Sequence, residues 1–150
     1  MKKEYFHVSD DNLKLGTILQ PKYGQVIQNS HYYMFNDHNY AQYLKEMLIE
    51  EIRVKDYPTL PSRLKCIYVV DNEESARSYM KTYNKKFLYK VQITEGIIAK
   101  VDMKWMDYNR QSLESIRIIA SSYFSGIQNE GEPFFEFIIE GKVIIENKIN

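Results

Sequence analysis

Cysteine occurs once in the 150 residues, at Cys66, so no internal disulfide can form and a reducing, cytoplasmic location is expected. Neither sign of charge is in excess: 20 Lys and Arg balance 20 Asp and Glu. That removes the strongly basic footprint of a general nucleic-acid binder, though not a local basic groove. No apolar run approaches the ~18 residues of a membrane span, and Met1-Lys2-Lys3-Glu4 lacks the apolar core of a signal peptide. Phosphate-loop, Gly-x-Ser-x-Gly and Gly-x-Gly-x-x-Gly motifs are missing, as are internal repeats. His31, Asp37 and His38 match no structural zinc spacing, and with a single cysteine no metal site is expected.

What is present suffices for one packed domain over residues 1–150. Hydrophobic residues make up 44% of the chain, and tyrosine is abundant at 13; tyrosine joins a large apolar ring to a polar tip and suits half-buried sites or partner surfaces. Strands are predicted at 4–8, 65–70, 86–93 and 97–103, with a turn at Glu95-Gly96. A closing hairpin is expected from 134–139 and 142–149 around Glu140-Gly141. A helix capped by Asn36 or Asp37 has Tyr40, Tyr43, Leu44, Met47, Leu48 and Ile52 at helical spacing, and Glu46, Glu50 and Glu51 on the expected solvated face. Pro58 and Pro61 stop it. A second helix follows Asp71 or Asn72, with Glu73 and Glu74 in its first turn. A third spans 112–123 and ends at Gly126. Helices do not alternate regularly with strands, so the fold class is α+β rather than doubly wound α/β.

Three strand residues carry candidate chemistry. Glu136 sits among Phe134, Phe135, Phe137, Ile138 and Ile139. A strand apolar on both faces is covered on both sides, and a carboxylate within it needs a partner or a cleft because unpaired burial is costly. A water-facing sheet edge is the alternative. Tyr68 and His7 each read equally as core residues or as site residues. Cys66 reads as a small buried side chain.

The order of His7-Val8-Ser9, Leu60-Pro61-Ser62-Arg63, Tyr68 with the strand-turn-helix after it, and the apolar strand around Glu136 resembles ADP-ribosyltransferases. It is most similar to a little-characterised group of small bacterial and phage domains, and more distantly to rifamycin ADP-ribosyltransferases. The resemblance implies an ADP-ribosyltransferase-like split β-sheet with packed outer helices and NAD as substrate. It implies that His7 holds the ribose, the backbone at Val8 and Ser9 receives the nicotinamide amide, Tyr68 stacks on nicotinamide, and Glu136 stabilises the oxocarbenium-like transition state. Asp102 is the second-choice acid, since the rifamycin enzymes use an aspartate after a comparable strand. Arg63, Lys14 or Lys22 would face the pyrophosphate. The sequence departs from the family where Val8 replaces the usual glycine and where Tyr68-Val69-Val70 replaces Tyr-Phe-Thr or Tyr-Phe-Ser. The acceptor would be a protein or a nucleic acid, recognised by residues 25–57 and 106–133, in a toxin, defence or counter-defence setting. The rival expectation is a non-catalytic module on the same fold that binds a protein partner.

Overall fold

A computed structural model describes residues 3–107 and 112–149. The elements run β1 (Tyr5–Ser9), α1 (Lys22–Ile27), α2 (Ser30–Tyr33), α3 (Asp37–Asp56), β2 (Ile67–Val69), α4 (Glu73–Tyr83), β3 (Phe87–Asp102), a 3-10 turn (Met103–Asp107), α5 (Leu113–Phe124) and β4 (Phe135–Lys148). The class is mixed α and β, with a four-stranded antiparallel sheet in the order β1-β3-β4-β2. Among the described residues, no helix is long and apolar enough to cross a membrane.

The turns expected at Glu95-Gly96 and Glu140-Gly141 do not form. Both glycines lie inside one long ribbon, where Gly96 pairs with Gly141. A Cβ on Gly96 would stand 2.6 Å from the Glu140 carbonyl oxygen, and one on Gly141 would stand 2.1 Å from that of Glu95. Glycine is needed here for close backbone approach rather than for reversal.

The ribbon must fold over at this point. Phe6 pairs with Lys90 on β3 and also exchanges backbone hydrogen bonds with Val70. Val70 follows β2, whose Val69 pairs with Phe137, and the neighbouring Glu136 pairs with Val101. The eleven residue steps from Lys90 to Val101 would span about 36 Å if straight. One residue can reach both places only if the ribbon bends, and register shifts between Ile93 and Glu95 mark the bend.

The bend lays two half-sheets against each other. Tyr89, Val91, Val143 and Ile145 from one half pack with Ile67, Val69, Phe137 and Ile139 from the other. The opposite face of the second half is covered by α3 and α5 through Ile49, Ile52, Ala120, Tyr123 and Phe124 around Ile138. The β4 strand is therefore apolar on both faces because it is buried on both. Each fully buried aliphatic side chain contributes on the order of 1.5–3 kcal/mol. Alternation along β4 sends Phe137 and Ile139 to the inner cluster and Ile138 to the helix face. Glu136, two residues from Ile138, shares its face.

Helix caps follow the sequence closely. Asn36, Asn72 and Ser112 accept from the backbone N–H three residues on. The face of α3 differs from expectation. Tyr40 and Leu44 are exposed, while Glu46, Ile49 and Ile52 are buried. The helix is rotated so that Glu46 faces inward, for a reason found in the site.

Candidate functional site

A cleft of about 510 Å³ opens between β1, β2, α1 and α4, and His7, Ser9, Arg63, Tyr68 and Glu136 all line it. Residues 61 and 68 positions apart in sequence are thus brought to one wall by the ribbon's bend and the bridge between β1 and β2. Val8 alternates to the other side of β1 and lines a smaller pocket.

His7 is half-buried, and its Nδ1 lies 2.8 Å from the Tyr68 carbonyl oxygen. A carbonyl only accepts, so Nδ1 carries the proton and Nε2 is left as an acceptor. Burial lowers the histidine's pKa against the opposing effect of that backbone bond, with Lys85 lowering it further. The ring is neutral at pH 7. Tyr68 lies on β2, and its hydroxyl donates to the Arg63 carbonyl at 3.0 Å. Burial, first of all, pushes the Tyr68 phenol well above its usual range.

Glu136 is 5% exposed. Burial pushes its carboxyl up to about 7, against the pull of the Arg63 guanidinium and the Tyr123 hydroxyl, while Asp107 and Asp102 add to the push. A carboxyl at this value is half ionised near neutrality, a property that clusters at functional sites. Asp102, the second-choice acid, lies on the next ladder position but does not line the cleft. Its carboxylate accepts from the backbone N–H of Lys104, Asn129 and Phe134 at 3.0, 2.8 and 3.0 Å. It holds the 3-10 turn and the loop before β4 together.

Arg63 is buried and its guanidinium is engaged. Nε and Nη2 donate to the Glu46 carboxylate at 2.9–3.2 Å, and Nη1 donates to the Tyr123 hydroxyl at 2.8 Å. The rings of Tyr23, Tyr68 and Tyr123 surround it at 5.6, 5.5 and 5.1 Å. Burial works most strongly against its charge, but Glu46 together with Tyr123, Tyr68 and Tyr23 outweighs it and holds the pKa well above the usual value. Glu46 is therefore not on a solvated face: it is 1% exposed and also accepts from the Tyr23 hydroxyl at 2.9 Å. Glu50, placed on that same face by the sequence, is half-buried and accepts from Arg53 and from the Ser62 hydroxyl at 2.6 Å. The Ser62 amide donates to Glu140 at 2.9 Å. These bonds fix the Leu60-Pro61-Ser62-Arg63 loop and turn Arg63 inward. A Cβ on Gly24 would stand 1.8 Å from the Leu64 carbonyl oxygen, and this close approach brings Tyr23 to the pair.

The cleft mouth carries Lys22 and Lys85, paired with Asp11 at 2.7 Å and Asp10 at 3.1 Å. Lys14 is exposed and does not line the cleft. Tyr79 and Tyr83 form an aromatic ledge, with ring centroids 4.5 Å apart. Cys66 lines the floor, and burial pushes its thiol up to about 12, so it is no thiolate at neutral pH. His31 and His38 are exposed, and no group of described His, Cys, Asp or Glu residues could hold a metal. Sequence reasoning missed Glu46, Tyr23, Tyr123 and Lys85. A helical glutamate is ordinarily solvated, and only the three-dimensional position of Arg63 shows otherwise. Of the 106–133 segment offered for acceptor recognition, residues 108–111 lie outside the described residues.

A family model described as a protein of unknown function, DUF2441, matches residues 2–150. The chain belongs to that family. Among curated proteins, none matches.

Proposed function

We propose that the chain is an NAD-dependent mono-ADP-ribosyltransferase that transfers ADP-ribose to a macromolecular acceptor, a protein or a nucleic acid. The observation that carries the reading is the convergence of His7, Tyr68 and Glu136 on one cleft. The bent ribbon with its two half-sheets suits the split sheet of such enzymes, and the cleft volume falls within the usual range for cofactor-sized ligands.

In this reading, the His7 Nε2 lone pair accepts from a ribose hydroxyl and Tyr68 lies against the nicotinamide ring. The bond between ribose C1′ and the nicotinamide nitrogen breaks, and nicotinamide leaves with the bonding pair. Positive charge develops on the ribose, and the ionised Glu136 carboxylate stabilises it in a partly dry site. The acceptor's nucleophile then bonds to C1′, and its proton passes to solvent water. Lys22 and Lys85 are the cations nearest the mouth for the phosphates, once exchanged from Asp11 and Asp10. The Tyr79 and Tyr83 ledge offers the acceptor an aromatic surface.

One observation favours the rival reading, a non-catalytic module with a protein partner: Arg63, Lys22 and Lys85 are each already paired with a carboxylate. Nicotinamide release from labelled NAD separates the two, measured alone and with cell lysate for wild type and Glu136→Gln. The transferase reading predicts release by wild type, on the order of 100-fold less by the variant, and label entering a macromolecule. No release and no NAD binding by calorimetry would overturn it in favour of the binding module.

A further inference from the structure

We propose that Asp10 and Asp11 are specificity-determining residues at the mouth of the cleft: they hold Lys22 and Lys85 in the place of a ligand's diphosphate, and a diphosphate binds by displacing them. That the diphosphate is the one in NAD rests on the transferase reading; the exchange itself rests on the geometry of the mouth.

The four charges come from three short segments, each fixed through its backbone. The loop after β1 carries Asp10 and Asp11. Tyr89, 0% exposed, pins that loop: its hydroxyl donates to the Asp11 carbonyl at 2.6 Å and accepts from the Leu13 amide at 2.7 Å. The Asp11 amide donates to the Ser9 hydroxyl at 3.0 Å. Lys22 opens α1 after Pro21, whose φ of −75° and ψ of 68° make an inverse γ-turn, closed by the Lys22 amide donating to the Gln20 carbonyl at 2.8 Å. Lys85 follows α4, where Asn84 takes a left-handed φ of 52° and the Lys85 amide donates back to the Met80 carbonyl at 2.9 Å. The side chains meet at the ends of these fixed segments. Lys22 Nζ lies 2.7 Å from Asp11 Oδ2, and Lys85 Nζ lies 3.1 Å from Asp10 Oδ2. Both lysines line the cleft.

Comparing the cations of the cleft decides which can change partner. Arg63 and Glu46 are 8% and 1% exposed, and breaking a buried pair leaves an uncompensated buried charge. In the two lysine pairs every side chain is between 33% and 61% exposed. Surface pairs of this kind shift an equilibrium by at most about fivefold each, so an anion replaces either carboxylate by side-chain rotation while the pinned backbone stays in place. The two lysines are held by consecutive residues of one loop, which suits two linked anionic groups. A diphosphate exchanges with both pairs in one molecule; a single phosphate exchanges with one and leaves the other closed.

The test titrates inorganic pyrophosphate onto isotope-labelled protein at low ionic strength and follows the backbone amides. Shifts should fall on Asp10, Asp11, Lys22 and Lys85, and inorganic phosphate should bind more weakly. Asp10→Asn and Asp11→Asn should each tighten pyrophosphate about threefold, and the double variant on the order of tenfold. The gain from Asp10→Asn should vanish in Lys85→Ala protein, and that from Asp11→Asn in Lys22→Ala protein. Unchanged affinity in the double variant, gains that persist without the paired lysine, or shifts away from the mouth would each overturn the exchange. Repeating the titrations with NAD separates this inference from the reading it deepens. Tighter pyrophosphate binding with no NAD binding to any of the proteins would leave the exchange standing and remove the transferase reading. NAD binding and nicotinamide release with pyrophosphate affinity unmoved would do the opposite.

Discussion

Asp102 and Glu136 are two buried carboxylates one ladder position apart on the same ribbon, and their surroundings assign them opposite work. Asp102 is 0% exposed and takes three backbone N–H bonds; it is spent on architecture. Glu136 borders a cleft and has its pKa pushed up to about 7, chiefly by burial. Burial alone does not set a carboxylate's role: Asp102 is matched by backbone donors, whereas Glu136 lies beside an opening.

Breaking the Asp102 side of the comparison should have the largest effect. Asp102→Ala removes the acceptor of three backbone amides, one buried and two half-buried, and chemical denaturation should show a loss on the order of 3–5 kcal/mol. Glu136→Gln should do the reverse in a pH-dependent way. The fold binds the Glu136 proton more tightly than the unfolded chain does, so that contribution is full below about pH 4.5 and lost as pH rises through about 7. Relative to wild type, the variant should gain up to about 3 kcal/mol between acid and pH 8. Parallel stability–pH curves for the two proteins would refute the elevated Glu136 pKa.

Gly141→Ala should cost about 2 kcal/mol by driving a Cβ into the Glu95 carbonyl, and it sharpens the comparison because the bend places Glu136 beside the cleft. A wild-type melting temperature would show that the ribbon does not need this close approach. Smallest in energy, but most specific, is the rate profile. Nicotinamide release should rise with pH through a midpoint of about 7, as Glu136 ionises. A profile flat from about pH 6 to about pH 8 would mean that the Glu136 carboxylate is not required.

Much of the frame is legible in the sequence because local chemistry decides it. Asn72 and Ser112 announce their helices, Pro58 follows the end of α3 directly, and the apolar run of β4 reports burial on both faces. The two interior glycines misled because turn and close approach call for the same residue, and only the partner strand distinguishes them. The face of α3 misled for a related reason. Hydrophobic spacing places Tyr40 and Leu44 inside, whereas pairing with Arg63 turns Glu46 inward instead. His7, Tyr68 and Glu136 could each be named from their strands. Their meeting at one wall depends on the bend, which no local pattern encodes.

Titrating NAD onto isotope-labelled protein and following the backbone amides tests the central claim most directly. The account predicts shifts concentrated at His7, Ser9, Tyr68 and Glu136, with Lys104 and Asn129 beside Asp102 unmoved. NAD at millimolar concentration, roughly the upper end of substrate affinities, that shifts nothing, or shifts only residues away from the cleft, would contradict it.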